Sequence, residues 1–189
     1  KGMDLAVVQF NSSNAYQVAT LGTAQLKNNT RVFVSGFPAE QPPQRVITTG
    51  QSVSKEATEL AAKESYSLVE GVGLLYTNMS YKGMSGGPVL DARGRVIAIN
   101  TGAEDYNFLT TGKEPSERLN LGYSLGVPIT SFVGLSSQFS VQPTQLTVER
   151  TKPTELAETE DKRIRAKLRT MKVPGQGGTA MDWLDYGKQ

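Results

Sequence analysis

The 189-residue chain contains no cysteine and no histidine. The first absence removes disulfides, thiolate metal sites and cysteine nucleophiles together. The second removes the side chain that most often exchanges protons near neutral pH, so any acid–base chemistry must find its base elsewhere. Charge of one sign is also lacking: 20 Lys and Arg stand against 18 Asp and Glu, a net charge of +2. No chain-wide field therefore draws in nucleic acid or an anionic membrane. Long apolar runs are missing too, since none reaches the roughly 18 residues that suggest a membrane span. Opening on Lys1 and Gly2 instead of Met, the chain neither displays nor rules out a signal peptide. What is present, 38% hydrophobic residues with 19 glycines, is the composition of a folding globular chain.

From Asp4 to about Phe132, short segments rich in Val, Ile, Leu, Tyr and Thr alternate with Gly, Pro and Asn clusters, which predicts an all-β barrel or sandwich. The predicted strands are Leu5 to Phe10, Arg31 to Phe37, Arg45 to Ser54, Tyr66 to Thr77, Pro88 to Leu90, Arg95 to Thr101 and Leu121 to Ile129. Ser54 to Glu64, SKEATELAAKE, has helical spacing and predicts a short surface helix. Residues 136–152 read as a linker rich in Ser, Gln, Thr and Pro. Residues 153–172 read as a charged helix, acidic early and basic late in keeping with the helix dipole, with Leu156, Ile164 and Leu168 as a sparse apolar stripe. Its plain reading is a solvated helix. The acids from Glu149 to Asp161 argue against phosphate binding, so no nucleic-acid partner is expected. Residues 173–189 pass through VPGQGG into AMDWLDYGKQ, where Trp183, Tyr186 and Gly187 have the spacing that opens a tetratricopeptide repeat.

Chemistry is concentrated in Gly83-Met84-Ser85-Gly86-Gly87-Pro88-Val89-Leu90. Acyl transfer needs a nucleophilic oxygen exposed on a tight turn, with backbone N–H groups aimed where the tetrahedral oxyanion forms. Gly83 permits an unusual backbone conformation, so its N–H and that of Ser85 can point the same way and form an oxyanion hole. Gly86 and Gly87 leave room for substrate and close packing, and Pro88 starts a strand. Asp91 to Gly94 then turns the chain back into RVIAIN.

This block resembles the nucleophile segment of trypsin/chymotrypsin-like serine endopeptidases, particularly bacterial and cyanobacterial ones in which a barrel precedes tetratricopeptide repeats. The similarity runs from about Gly2 to Phe132. MDLAVVQF is similar to the segment holding the triad aspartate, which assigns that role to Asp4; alone, Asp4 reads equally well as an ordinary residue at the start of a strand. RVFVSGFP looks like the strand opening the second barrel, and LGYSLGVPITSF like the last strand and the start of the closing helix. The resemblance implies a chymotrypsin-like double β-barrel with C-terminal helices, divided as residues 1–30 for the end of the first barrel and 31–135 for the second. It implies peptide-bond hydrolysis through an acyl-enzyme, a polypeptide substrate, no metal or other cofactor, and a periplasmic or extracellular location. Asn100, Thr101 and Gly102 fall by similarity on the strand that pairs with substrate and lines the specificity pocket. Neither that stretch nor Asn78 to Lys82 offers an acid, which argues against Lys/Arg-directed cleavage.

The departure from the family is the missing base. Asp4 is too weak to take the serine proton. A Ser-Lys dyad through Lys82 is conceivable, although a lysine on a turn is more simply a solvated charge. The expectation is that the histidine belongs to chain preceding Lys1, and that this fragment alone is inactive. The rival expectations are a catalytically dead barrel that binds protein, and a scaffold whose function lies in C-terminal repeats that bind a protein partner.

Overall fold

The computed structural model describes residues 3–39, 44–54, 71, 73–103 and 123–170. Among them run eight strands: β1 (Leu21–Gly22), β2 (Arg31–Gly36), β3 (Val46–Gln51), β4 (Leu74–Tyr76), β5 (Pro88–Leu90), β6 (Val96–Ala103), β7 (Ser124–Pro128) and β8 (Val148–Glu149). Two α-helices follow β7: α1 (Ile129–Leu135) and, beyond β8, α2 (Glu158–Arg169). The expected helix over 54–64 lies outside the described residues after Ser54, as does the repeat-like end of the chain.

The strands form one mostly antiparallel sheet in the order β3-β2-β5-β6-β1-β8, with β7 also pairing β6 and β4 pairing β7. The ends of the path β3-β2-β5-β6-β7-β4 meet at the bridge Ser52↔Tyr76, so the sheet curls round its core without closing as a continuous ladder. Alternation explains the core: Val32 and Val34 of β2, two residues apart and so on one face of the strand, are fully buried with Tyr76, Met84, Val89 and Ala98, and Ile97 joins them.

The β5–β6 hairpin is closed by one carboxylate. Asp91 Oδ1 accepts from the N–H groups of Arg93 and Arg95 at 2.9 and 3.0 Å, and Gly94 N–H donates to the Asp91 carbonyl. Asp91 and the Arg95 side chain are both buried, and the Arg95 guanidinium also donates to Glu149 and Thr151.

Three expectations need correction. Leu5 to Phe10 is not a strand: Val8 and Phe10 are 84% and 67% exposed, and the segment has no ladder partner among the described residues. A lone extended segment has no pairing energy to hold it in a sheet. Residues 136–152 are more than a linker, because β8 pairs in parallel with β1 while Leu146 and Val148 cover Leu21, Val96 and Ile129. Nor is the charged helix simply solvated. The Arg31 guanidinium, largely buried, donates to Asp161 Oδ2 at 2.8 Å and to the Gly50 carbonyl, and Ile164 and Tyr81 both pack against Val46. Among the described residues, no helix is long and apolar enough to cross a membrane.

Candidate active site

Ser85 sits on the tight turn that leads into β5. Met84 N–H donates to the Tyr81 carbonyl, Gly87 N–H donates to the Met84 carbonyl, and Gly86 N–H reaches across to the Asn100 carbonyl of β6 at 2.7 Å. Met84 anchors the turn from below with a fully buried side chain, so the next residue is forced outward and Ser85 is exposed. Gly83 has φ +95°, and a Cβ there would lie 2.6 Å from Ala39 N and 2.8 Å from the Phe37 carbonyl oxygen. The position requires glycine on both counts. Gly86 also has positive φ, +83°, but open space beside it.

The amides of Gly83 and Ser85 donate to no partner among the described residues. Two N–H groups flanking an exposed hydroxyl are an arrangement able to stabilise a developing oxyanion. The Ser85 Oγ itself donates to the Thr101 carbonyl at 2.9 Å. Thr101 presents that carbonyl from a bulge in β6, where the register against β7 shifts between Asn100 and Gly102.

A cleft of about 750 Å³ opens beside this turn, and Asp4, Val8, Ser85, Ile99, Thr101 and Phe132 are among the residues lining it. The structure thus brings Asp4 and Ser85, 81 positions apart in the sequence, to one cavity. Asp4 is exposed, at a sharp turn made by the Leu5 N–H to Met3 carbonyl bond of 2.7 Å. Lys82 is exposed and does not line the cleft. Gly102 lies in β6, paired with Leu125.

Asn100 behaves differently from expectation. Although it stands in the cleft wall, it has no exposed surface, and its side chain is bonded inward. Its Nδ2 donates to the Met84 carbonyl at 3.0 Å and to Ser80 Oγ at 2.9 Å, and its Oδ1 lies 2.6 Å from Tyr76 Oη. Tyr76 Oη is equally close to the Leu125 carbonyl, and burial pushes its phenol pKa well up. Sequence reading assigned Asn100 to substrate and passed over Tyr76 and Ser80, whose spacing from the Ser85 block carries no motif.

An exposed serine on a glycine-rich turn, two amides with no partner among the described residues and a carboxylate thus border one cleft. The trypsin-like peptidase domain model matches residues 1–99 of the 189, and the chain belongs to that family. It is also 32% identical over 100 residues to the serine protease Do-like HtrB of Bacillus subtilis (strain 168). That stretch covers 52% of this chain and 21% of the relative, so the similarity spans about a fifth of the relative's length.

Proposed function

We propose that this chain carries the nucleophile-bearing part of a serine endopeptidase that hydrolyses peptide bonds through an acyl-enzyme. The observation that carries the reading is Ser85: exposed, next to two uncommitted amides, in a cleft it shares with Asp4. The Ser85 Oγ attacks the scissile carbonyl, the N–H groups of Gly83 and Ser85 receive the oxyanion, the C–N bond breaks as the amine leaves with a proton, and water hydrolyses the ester left at Ser85. The proton leaving Ser85 needs a base, and since the 189 residues hold no histidine the imidazole comes from polypeptide outside them. Asp4 orients that imidazole. Backbone of Thr101 and Gly102 pairs with substrate. The curled sheet of β2 to β7, within residues 31–135, is read as the second barrel of a chymotrypsin-like pair, with residues 1–30 as the end of the first.

Fluorophosphonate labelling of the polypeptide expressed from the complete reading frame tests the reading. Labelling should be abolished in Ser85→Ala; equal labelling of the two would remove Ser85 from its role. The 189-residue chain alone should label at least about 1000-fold more slowly, because its serine has no base. A second reading, an inactive peptidase-like domain that binds protein, is favoured by the bond that parks the Ser85 proton on the Thr101 carbonyl. Labelling of the complete polypeptide no faster than the fragment's would select it.

A further inference from the structure

The Met84 carbonyl and the Ser85 N–H belong to the same peptide group. In a planar trans peptide these two bonds point in opposite directions, so whatever fixes the carbonyl also fixes the N–H. Here the carbonyl is fixed from the interior. It accepts from Asn100 Nδ2 at 3.0 Å and from Gly87 N–H at 3.1 Å. With its oxygen held toward buried Asn100, the peptide can present its N–H only on the side away from the core, where Ser85 is exposed.

Asn100 is in turn held in one orientation. An amide side chain can flip end for end and exchange its donor for its acceptor. The Met84 carbonyl can only accept, so it selects the orientation with Nδ2 toward it and Oδ1 toward the Tyr76 hydroxyl at 2.6 Å. A phenol donating to Oδ1 supports that orientation, and the Leu125 carbonyl lies equally close to the Tyr76 Oη. All of these groups are fully or almost fully buried, so water does not compete for them.

We propose that Asn100 is a positioning residue for the oxyanion site, locking the Met84–Ser85 peptide so that the Ser85 N–H faces the cleft, with Tyr76 supporting the orientation of Asn100. The assignment rests on Ser85 being the nucleophile. It replaces direct substrate contact by the Asn100 side chain, which burial forbids.

The test uses Asn100→Asp and Tyr76→Phe in the complete polypeptide, with Ser85→Ala as control. Asn100→Asp keeps the size of the side chain and the acceptor facing Tyr76, but puts an acceptor where the Met84 carbonyl needs a donor. Hydrolysis of a chromogenic peptide ester should show kcat lowered about 100-fold, as for loss of one oxyanion donor, with KM within roughly twofold and the shape of the pH profile kept. Tyr76→Phe leaves Nδ2 in place and should lower kcat about 3- to 10-fold. A merely structural role would lower the melting temperature and leave kcat intact well below it; that result overturns the proposal. In the 189-residue chain, where no base is required, the amide resonance of Ser85 should move in Tyr76→Phe while that of Phe33 stays, and an unmoved Ser85 resonance also overturns it. If Ser85→Ala still labels, the nucleophile reading has failed. If Ser85→Ala is silent and Asn100→Asp labels at the wild-type rate, only the positioning role has.

Discussion

The two sides of the cleft are held by different amounts of structure. Ser85 and its neighbours stand on β5 and β6, with backbone bonds across the turn, Met84 buried beneath it and Asn100 bonded behind it. Outside that layer, α2 adds a brace through Asp161 and Ile164, the latter packing against Val46, as does Tyr81 just ahead of the turn. Asp4 lines the same cleft as Ser85 from residues 3–20, which pair in no ladder among the described residues before β1 and expose Val8, Phe10, Tyr16 and Val18. The Phe10 and Tyr16 rings meet edge to face at 5.7 Å, the main packing that segment makes with itself. The difference teaches that, on the function proposed above, Ser85 and the two amides beside it are held by the sheet beneath them, whereas Asp4 stands on an exposed apolar segment. In such a division, substitutions near Ser85 act through geometry, and equivalent ones near Asp4 cost little in this chain.

The largest effect should come from Gly83→Val. A branched side chain at φ +95° with Ala39 and Phe37 backbone in contact range must move the turn, and labelling of the complete polypeptide should fall about 100- to 1000-fold. A wild-type rate would place the oxyanion site elsewhere. Met84→Ala empties the fully buried support beneath the turn and should cost about 2–5 kcal/mol in urea unfolding. Asp161→Ala removes the carboxylate partner of a largely buried guanidinium and should cost about 1.5–3 kcal/mol by the same measurement; a change below about 0.5 kcal/mol would mean that α2 is not a brace. A smaller effect is confined to alkaline pH. Burial raises the Tyr76 pKa in the folded state above its unfolded value of about 10, so the folded protein holds that proton where the unfolded chain releases it. This contribution is full below pH 10 and is lost as pH rises through the folded pKa; Tyr76→Phe should therefore lose less stability than wild type between about pH 10 and 11. Last, Val8→Ala, on a residue 84% exposed, should stay within about 0.5 kcal/mol. A larger loss would show that residues 3–20 are already supported within this chain and would break the comparison.

The Ser85 turn was legible because its glycines and proline encode a backbone path directly, and β5 begins at Pro88 as its punctuation predicted. Strands β2, β3 and β6 were legible from their apolar periodicity, to within three residues at each end. Leu5 to Phe10 misled because an apolar run states a tendency to be covered but not what covers it. The pairing of β8 with β1 was hidden for the opposite reason: two strands of two residues each carry no period. The inward bonding of the Asn100 side chain, from a position in the cleft wall, was not legible, since sequence does not tell which way a residue beside a bulge turns.

The cluster at Arg95 bears on where this unit stops. Its guanidinium sits between Asp91 of the hairpin and Glu149 with Thr151 near the far end of the described chain, while Leu146 and Val148 roof the apolar group at Leu21. A truncation after residue 135 would therefore expose a buried cation and unroof part of the core. Any shortened version used to ask what the C-terminal tail does has to keep the chain through α2, whose Asp161 partners buried Arg31, or it will report a damaged fold in place of a missing function.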